Sequence, residues 1–587
     1  MLAVAEQSGC VITVSRALPG PRAPPAEKVF QRVAGSGHPE QAGADTCGAL
    51  ALKENGLWSC SGVILDQGLG IVLCHGTIFS PFLSLPIDTA WSDCRLLRAE
   101  DFSQDLQIQV QYVAESKSTR ESGSKKDMGA TSIQLGFNPL SNHGGVPSGI
   151  QQCQAELLLL VPCLEFHNAL SMLFHQADNW HFSSLEEEQE SVTLQKALAH
   201  LHWFAVLHIL SPCMPGMGTL SCMPASELQK GRTLFTCGSP FGSFYPNIFI
   251  NSLSKGVVSN LAGESNAVIL TDARCLPGTE GGGVFAVQED CLKLVGLIVA
   301  PLCWKAGEWV GLTLVCSVGH ILESLQQVLD VSENSLCLSL PHVTQHIESV
   351  VANPWPGQCL MAAVVLVECD RSWGSGVLLN PRMVVTCRHV VAQTFNVRIH
   401  GIRRHAMAEN CGTTRGRVVF MTQKTSPYDV AVLELDESFD GIPEPVLGSQ
   451  FRTGEDVSIL SFGIFGKRCG PSVTSGILSA VVTVDDAPVM LQTTCAVHGG
   501  SSGGALMATH TGELLGIIAS NTRDSSVGAT YPHLNFSVPI SVLEPVLQQY
   551  HQSQDLRAFQ QLNQASGAVA AAWRLQSKPT RVLPSRL

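Results

Sequence analysis

The stretch Gly500-Ser501-Ser502-Gly503-Gly504 is the most informative part of this 587-residue chain. A serine flanked by glycines can sit on a tight turn with its hydroxyl exposed, because glycine accepts positive φ and leaves room for another chain against its backbone. In such a turn the amides of Gly500 and Ser502 can point at one spot and stabilise an oxyanion. The alternative is an ordinary flexible glycine-serine loop. The stretch therefore predicts a nucleophile at Ser502 only if a base and an orienting acid occur elsewhere.

A histidine and an aspartate occur upstream in settings that suit this chemistry. A serine hydroxyl is a poor nucleophile unless a histidine takes its proton, and that histidine needs an acid that fixes its tautomer. Two apolar strands joined by a turn, residues 375–386, lead to His389, and Asp429 stands immediately before an apolar strand, residues 430–435. The chain order is His389, Asp429, Ser502. Hydrolases with a Gly-x-Ser-x-Gly turn have the order Ser, Asp, His instead.

Each of these residues has an ordinary structural alternative. A single histidine beside apolar runs is more often a buried, hydrogen-bonded residue than a catalyst. Asp429 could cap a strand edge, and Asp436 and Asp440 are nearby carboxylates that compete with it, although neither precedes an apolar strand. Ser501 could be the nucleophile, but only Ser502 is followed directly by the glycine pair. The combination of three such signals in one order favours a catalytic triad.

The three segments resemble the motifs of trypsin-like serine proteases of the chymotrypsin class. Residues 375–391 resemble the family's histidine signature, residues 428–435 its aspartate strand and residues 500–504 its Gly-x-Ser-Gly-Gly turn. The resemblance implies a double β-barrel, with His389 and Asp429 on the first barrel and Ser502 on the second.

Patterning in the same half of the chain agrees with that fold. Short apolar runs recur between turn signals from residue 360 to residue 538, which is typical of an all-β sandwich or barrel. Apolar residues at positions 540, 543, 547 and 550 have helical spacing and predict a helix that closes this half.

One residue bears on specificity. In trypsin-like enzymes the residue six before the nucleophile lies at the base of the pocket for the substrate side chain just before the cut. That residue is Ala496 in this chain. Ala496 offers no charge, so a cation buried there would be unpaired. We expect a preference for a small or neutral residue such as Cys, Ala or Ser.

The chain also contains an internal repeat. Residues 61–65 correspond to residues 375–379, and a histidine follows thirteen residues after the glycine of each copy, at His75 and at His389. The other matched pairs are residues 204–209 with 430–435, 255–259 with 475–479, 278–282 with 500–504, 294–298 with 514–518, and 321–328 with 542–549. Matches in one order along the chain predict two tandem protease-like units.

The first unit is expected to be degenerate. By register, His75 stands at the position of the base, Trp203 at that of the aspartate and Glu280 at that of the serine. A carboxylate at the serine position puts negative charge where the oxyanion must develop, and an indole cannot accept the imidazole N–H. We interpret this unit as a pseudoprotease that supports, orients or regulates the second unit. A structural spacer is an equal alternative.

The chain is therefore divided into five segments. The polar runs at 115–127 and 186–190 are predicted to be solvated insertions between residues 100 and 200. Such insertions are sites of proteolytic nicking. The segments are a flexible N-terminal segment 1–40, a degenerate unit 41–330, a linker 331–357, a catalytic unit 358–550 and a flexible tail 551–587.

Composition argues against several classes of protein. The formal net charge of −13 with no extended basic stripe argues against a nucleic-acid partner. The 21 cysteines contain no Cys-x-x-Cys pair, so a zinc ribbon is not indicated. The triad chemistry needs no metal and no organic cofactor, so we expect neither. We interpret the thiols mainly as small buried hydrophobes in a reducing compartment. No uncharged apolar stretch is long enough to span a membrane, and the N-terminus lacks the pattern of a secretory signal.

The last three residues, Ser585-Arg586-Leu587, have the small-basic-leucine form of the C-terminal peroxisomal address. An import receptor reads this address. The polar extension before it would keep the tripeptide accessible, and the ordinary alternative is a frayed tail.

A double protease-like chain with a degenerate first triad and this ending resembles the peroxisomal leader-peptide-processing proteases, which are related to the HtrA/Deg enzymes. The resemblance implies a protease of the peroxisomal matrix that removes N-terminal leader peptides from imported proteins. It also implies processing of other matrix enzymes, including those of fatty-acid β-oxidation, and self-cleavage. The implied partners are these protein substrates and the import receptor, and self-association is compatible with it. The alternatives are a non-catalytic scaffold or chaperone and a cytosolic HtrA-like protease.

Overall fold

The described chain is built from β-barrels, as the sequence predicts. In the computed structural model, three closed six-stranded barrels form, and a fourth set of six strands is closed by an extra pairing within a seven-stranded sheet. Two barrels lie in each half of the chain, so the prediction of an all-β fold with two tandem double-barrel units is confirmed. The structure describes residues 2–17, 57–84, 96–113, 149–182, 194–210, 218–301 except 245, 303–305, 308–331, 341, 355–370, 372–392, 394, 396–401, 412–524 and 529–574.

The described part of the first unit contains sixteen strands. Strands β1, β2, β3, β5, β6 and β8 form its first barrel, with β4 at the edge, and strands β9 to β13 and β16 form its second barrel. The bounds are β1 Gly9–Arg16, β2 Leu57–Asp66, β3 Ile71–His75, β4 Leu97–Arg98, β5 Leu106–Val113, β6 Ile150–Pro162, β7 Trp180–Phe182, β8 Trp203–Ile209, β9 Thr233–Gly238, β10 Ser252–Ala262, β11 Val268–Thr271, β12 Gly283–Gln288, β13 Cys291–Ala300, β14 Cys303–Lys305, β15 Glu308–Trp309 and β16 Thr313–Ser317.

Twelve strands lie among the described residues of the second unit. Strands β17 to β22 close its first barrel and strands β23 to β28 close its second. The bounds are β17 Val364–Cys369, β18 Ser372–Asn380, β19 Met383–Thr386, β20 Asn396–His400, β21 Thr413–Met421, β22 Ala431–Leu435, β23 Asp456–Ser461, β24 Ser472–Val484, β25 Ala487–Thr493, β26 Ala505–Ala508, β27 Leu514–Asp524 and β28 Ala529–Pro539.

Short helices connect and close the barrels. Helix α5 ends the barrels of the first unit and α8 ends those of the second, as the repeat and the spacing over 540–550 predict. No helix among the described residues is long and apolar enough to cross a membrane. The helices are α1 Ala3–Ser8, α2 Leu164–Leu173, α3 Leu194–Leu201, α4 Pro246–Phe249, α5 Val318–Val331, α6 Gln358–Ala363, α7 Arg388–Val391, α8 Ile540–Ser553 and α9 Gly567–Trp573.

The N-terminal boundary predicted for the first unit is wrong. Strand β1 pairs with β2 on one side and with β5 on the other, and α1 precedes it. Its apolar residues Val11, Ile12 and Val14 are fully buried. Residues 9–16 therefore supply the strand that closes the first barrel, and the unit begins well before residue 41.

The prediction of a flexible tail from residue 551 is also wrong as far as residue 574. A 3-10 helix, Leu556–Asn563, and α9 pack back onto the second unit. The ring of Phe559 stacks on Phe420 with centroids 5.5 Å apart, and Trp573 Nε1 donates to the Val489 carbonyl at 3.0 Å. Buried aromatic contacts hold this segment in place. The address tripeptide Ser585-Arg586-Leu587 lies outside the described residues.

The region between residues 100 and 200 is not only inserted loop. It supplies β5 and β6 to the first barrel, and α2, α3 and the short strand β7. The polar runs at 115–127 and 186–190 lie outside the described residues, as does most of the linker predicted at 331–357. Most of the cysteines whose surroundings the structure describes are buried, which agrees with their interpretation as small hydrophobes.

The two units contact each other through their second barrels, where β10 packs against β24. Asp272 of the first unit accepts hydrogen bonds from the Ser475 backbone N–H and, at 2.9 Å, from the Ser475 hydroxyl. Lys230 donates to the Pro471 carbonyl at 2.8 Å. These hydrogen bonds attach the first unit to the start of β24 in the second unit.

Candidate active site

His389 and Asp429 lie side by side in the second unit. Strand β19 is buried along its whole length and pairs with β22, so that Thr386 faces Ala431. His389 follows β19 on α7, and Asp429 precedes β22, so this register brings them together. The His389 N–H donates to Asp429 Oδ1 at 3.0 Å, and His389 Nδ1 is hydrogen-bonded to Asp429 Oδ2. Helix α7 and the start of β22 thus position the two side chains against each other.

The charge on Asp429 is stabilised in place. Burial alone would raise the pKa of this carboxyl, but the hydrogen bonds and charge of His389, together with Arg388, hold the pKa below its ordinary value. Arg388 Nε lies 3.5 Å from Asp429 Oδ1. A charged acceptor at Nδ1 keeps the proton on that nitrogen and leaves Nε2 of His389 to act as a base. The imidazole is half exposed, at 52%, so substrate can reach it.

Ser502 is brought beside this pair through its backbone. The Ser375 N–H donates to the Ser502 carbonyl at 2.8 Å. A Cβ added at Gly374 would lie 2.6 Å from Val390 Cγ2 and 3.1 Å from the Ser502 carbonyl oxygen, so the serine lies next to the helix that carries His389. The hydrogen bonds among the described residues do not include one between Ser502 Oγ and His389. Such bonds are often long without substrate and tighten when it binds.

The turn around Ser502 has the form of an oxyanion hole. Gly500 and Gly503 both have positive φ, +92° and +86°. The amides of Gly500 and Ser502 donate to no acceptor within the described part of the chain, so both are available to a ligand. Ser501 differs, because its side chain is buried and accepts a hydrogen bond from the Ser461 hydroxyl at 3.1 Å. This geometry supports Ser502 rather than Ser501 as the nucleophile.

Ala496 is buried, and its carbonyl accepts a hydrogen bond from the Thr474 hydroxyl at 2.8 Å. A Cβ added at Gly311 would lie 3.3 Å from Ala496 Cβ and 3.4 Å from His533 Nε2. Gly311 belongs to the first unit, so that unit forms part of the surroundings of Ala496. The sequence gives no signal for this contact, since no local pattern predicts which surfaces of two repeats meet.

One group of side chains in the described residues offers three metal-ligand atoms within 4.8 Å of one another, namely Cys387, His389 and Asp429. The Cys387 thiol is buried and donates to the Ile518 carbonyl at 3.0 Å. Burial, and then the charge of Asp429, raise the pKa of this thiol well above its ordinary value. A protonated thiol is a poor metal ligand. The arrangement suits a histidine–aspartate pair better than a metal site.

The corresponding turn of the first unit keeps the scaffold of the active one. The Ser61 N–H donates to the Glu280 carbonyl at 2.9 Å, as Ser375 does to Ser502. The Ser61 hydroxyl donates to the Gly278 carbonyl at 2.7 Å, the same distance as from Ser375 to Gly500. Glu280 therefore occupies the position of the nucleophile, as the repeat predicts.

The base position of the first unit is held by Thr77 rather than His75. Gly62 pairs with Cys74, whereas the equivalent Gly376 pairs with Thr386. The turn that follows has four residues in the first unit (67–70) and two in the second (381–382), which shifts the count by two. His75 is instead buried, with its Nε2 atom 3.0 Å from the Leu201 carbonyl, and burial lowers its pKa to about 4. It serves as a core residue.

The carboxyl of Glu280 fills the oxyanion position of its own unit. Its Oε2 accepts the Gly278 N–H at 2.7 Å, and Gly278 is the counterpart of Gly500. Burial raises the pKa of Glu280 to about 7. Trp203, at the aspartate position, is fully buried. This site has lost all three chemical groups of the triad while its backbone is preserved.

The raised pKa of Glu280 predicts a pH-dependent stability. The folded protein binds this proton up to about pH 7, but the unfolded chain only up to about pH 4.5, so stability falls as the pH rises through that window. In Glu280→Gln the amide oxygen still accepts the Gly278 N–H without a charge. We expect the variant to match the wild type near pH 4.5 and to be more stable at pH 8 by on the order of 2 kcal/mol. Thermal unfolding at both pH values measures this, and a difference that does not change with pH would contradict it.

Comparisons with known proteins agree with this site. A family model described as trypsin-like peptidase domain matches residues 374–517. The chain is 43% identical to the peroxisomal leader peptide-processing protease of Mus musculus over 604 residues, covering 100% of this chain and 98% of that protein. The chain is also 43% identical to the protein of the same name from Homo sapiens over 598 residues, which cover 97% of this chain and 96% of that protein.

Solved structures match a smaller part. The serine endoprotease from Yersinia pestis is 23% identical and covers 34% of this chain and 67% of its own, with a TM-score of 0.28. The full-length identity to the mouse and human proteins is the decisive comparison, because it includes both units. The chain belongs to the family of peroxisomal leader peptide-processing proteases, whose peptidase domain is of the trypsin-like serine type.

Proposed function

We propose that this protein removes N-terminal leader peptides from imported matrix enzymes, processes other matrix proteins such as enzymes of fatty-acid β-oxidation, and cleaves itself. Membership of its family makes it a peroxisomal serine protease. The observation that carries the proposal is the combination at one site of a fixed His389–Asp429 pair with two available amides beside Ser502.

The mechanism follows from this geometry. Asp429 holds the Nδ1–H tautomer of His389, whose Nε2 takes the proton of Ser502 as the hydroxyl oxygen attacks the scissile carbonyl carbon. The carbonyl oxygen becomes an oxyanion that the amides of Gly500 and Ser502 stabilise. His389 then gives its proton to the leaving amine, the C–N bond breaks, and the acyl group remains on the Ser502 oxygen. A water molecule, deprotonated by His389, attacks the acyl carbon. The acyl–oxygen bond then breaks, and His389 returns the proton to the Ser502 oxygen. Each step uses only groups of this chain, the substrate and water.

Import and assembly belong to the same proposal. The import receptor would bind the terminal Ser585-Arg586-Leu587, whose carboxylate and small-basic-leucine pattern form the address. Self-association is compatible with the function.

The direct test is to incubate the purified protein with leader-bearing matrix proteins and to sequence the new N-termini. We expect one defined cut between leader and mature protein, and no cut with Ser502→Ala. A fluorophosphonate probe, which modifies activated serines, is expected to label Ser502 alone. A folded wild-type protein that yields neither new termini nor a labelled serine would favour the scaffold or chaperone alternative.

The uncharged residue Ala496, six residues before Ser502, predicts which substrate residue precedes the cut. We expect peptides with Ala, Ser or Cys at that position to be cleaved at least about 100-fold more efficiently, by kcat/KM, than peptides with Lys or Arg, because a buried cation would be unpaired. A peptide series that differs only at this residue measures the preference. Ala496→Asp serves as the matched variant. We expect it to reduce the difference in kcat/KM between peptides with Ala, Ser or Cys and peptides with Lys or Arg. Equal cleavage after Ala and Lys by the wild type would contradict this role of Ala496.

A further inference from the structure

In the loop between β23 and β24, residues 462–470 reach out of the second unit. Phe465 in this loop is only 6% exposed, yet it packs within the hydrophobic core of the first unit. The ring of Phe465 stacks on Trp180 with centroids 5.4 Å apart and planes 6° apart, and it meets Phe174 edge to face at 5.7 Å. Phe182 completes this group by packing on Phe174 at 5.0 Å. We call Phe174, Trp180 and Phe182 the aromatic socket.

Charged groups fix the same loop at the rim of the socket. Arg468 Nη1 donates to the Leu173 carbonyl at 2.7 Å and lies 3.3 Å from Asp178 Oδ2. Lys305 lies 3.3 Å from the other oxygen of Asp178. Burial alone would raise the pKa of Asp178, but these two cations hold it below its ordinary value. The carboxylate therefore stays charged at neutral pH. The first unit contacts the loop both by aromatic packing and by an ion pair.

The inner end of the loop touches the oxyanion turn. A Cβ added at Gly500 would lie 2.7 Å from the Phe462 carbonyl oxygen and 3.0 Å from that of Gly463. The Ser375 hydroxyl joins the two segments, because it accepts the Phe462 N–H at 2.8 Å and donates to the Gly500 carbonyl at 2.7 Å. The position of the loop thus determines where the Gly500 peptide, and with it the oxyanion amide, can lie.

A second route connects the first unit to the same glycine. The ammonium of Lys305 lies 5.5 Å from the ring centroid of Trp180 and 5.8 Å from that of Trp373. The indole nitrogen of Trp373 would be 2.7 Å from a Cβ at Gly500. Lys305 therefore bridges the socket and the side chain that covers the oxyanion turn.

We propose that the degenerate first unit activates the second, by holding Phe465 in the aromatic socket so that the loop 462–470 keeps the oxyanion turn at Gly500 in its catalytic shape. The inference rests on the proposed function of Ser502 and its two amides. Phe465 and Trp180 are positioning residues, since neither touches the reacting atoms. An oxyanion hole acts mainly in the transition state, so its distortion lowers kcat more than it raises KM.

The test compares Trp180→Ala with the matched Trp58→Ala, both in the full chain. Trp58, on β2 in the first barrel of the first unit, packs edge to face on Phe82 at 5.0 Å and serves as the control for loss of an indole. We expect Trp180→Ala to lower kcat by about 10-fold or more, with KM within about twofold, because loss of one oxyanion donor costs about 10²- to 10³-fold in kcat. Trp58→Ala and the conservative Trp180→Phe, which keeps a stacking ring, are expected to retain kcat. The rate of fluorophosphonate labelling of Ser502 should follow kcat.

Phe465→Leu is the second variant, because it fills the socket without a ring and keeps the result decisive if Trp180→Ala does not fold. We expect it to lower kcat at least threefold at an unchanged melting temperature. Equal kcat for wild type and the folded socket variants, with the wild type labelled at Ser502, would overturn the activation role and leave the protease function intact. A wild type that is not labelled at all would instead remove the proposed function on which this inference rests. Equal losses in Trp58→Ala and Trp180→Ala would show general destabilisation and also overturn it.

Discussion

Replacing Ser502 with alanine is expected to lower kcat by about 10⁵-fold or more while the protein remains folded. The alanine keeps both oxyanion amides and the His389–Asp429 pair, but no atom is left to form the acyl intermediate. The residual rate would come from substrate positioning and the oxyanion hole acting on water. The Ser502 side chain accepts and donates no hydrogen bond within the described chain, so its loss should leave the melting temperature nearly unchanged.

The neighbouring serine provides a stringent control. Ser501→Ala removes a buried hydroxyl that accepts from Ser461, so it should cost about 1 kcal/mol of stability. We expect its kcat to stay within about tenfold of the wild type, because its side chain is directed into the core. Rates of peptide cleavage and intact-mass detection of the fluorophosphonate adduct give both readouts. If Ser502→Ala still forms the adduct, or if only Ser501→Ala fails to form it, Ser502 is not the nucleophile.

Sequence patterns could indicate the candidate site of the second unit because each part of that site is local. His389 and Asp429 are fixed by their distance from the ends of two paired strands, and the turn at Ser502 is fixed by glycines that adopt positive φ. Counting residues failed in the first unit, where Thr77 rather than His75 takes the base position. A turn can gain two residues without disturbing the strands on either side, so equal spacing between repeats does not ensure equal positions.

The features that sequence reasoning missed all depend on contacts between distant segments. Strand β1 is separated from its partner β2 by residues 17–56, so its short apolar run carries no hairpin signal. The tail up to residue 574 is ordered by Phe559 and Trp573, whose partners lie in other strands. Phe465 has the hydrophobicity of any core residue, and nothing in its neighbourhood indicates that the core it enters belongs to the other unit.

The first unit keeps the fold of a protease although its triad residues are replaced. Its turn keeps the hydrogen bonds of Ser61 to Gly278 and Glu280, which depend on backbone geometry. Its three triad positions now hold Thr77, Trp203 and Glu280, none of which can act as base, orienting acid or serine nucleophile there. A unit without triad groups can take another role. The contacts of Phe465 with the aromatic socket support the role of positioning the loop 462–470.

Asp429→Asn is expected to lower kcat by about 10⁴-fold without unfolding the protein. The amide oxygen of the asparagine can still accept the His389 N–H that Asp429 Oδ1 accepts at 3.0 Å. Its NH₂ group then faces Nδ1 of the imidazole and donates to it, which forces the ring proton onto Nε2. A protonated Nε2 cannot take the proton of Ser502. The positive charge that develops on the imidazole in the transition state also loses its carboxylate partner.

Asp436→Asn is the matched control, because Asp436 is an exposed carboxylate seven residues further along the same strand region. We expect this variant to retain wild-type kcat and KM. Peptide cleavage and the rate of fluorophosphonate labelling measure both variants, and circular dichroism verifies that each is folded. A kcat for Asp429→Asn within tenfold of the wild type would mean that the carboxylate only anchors the backbone of α7, since an anchoring role survives in the amide whereas control of the tautomer does not.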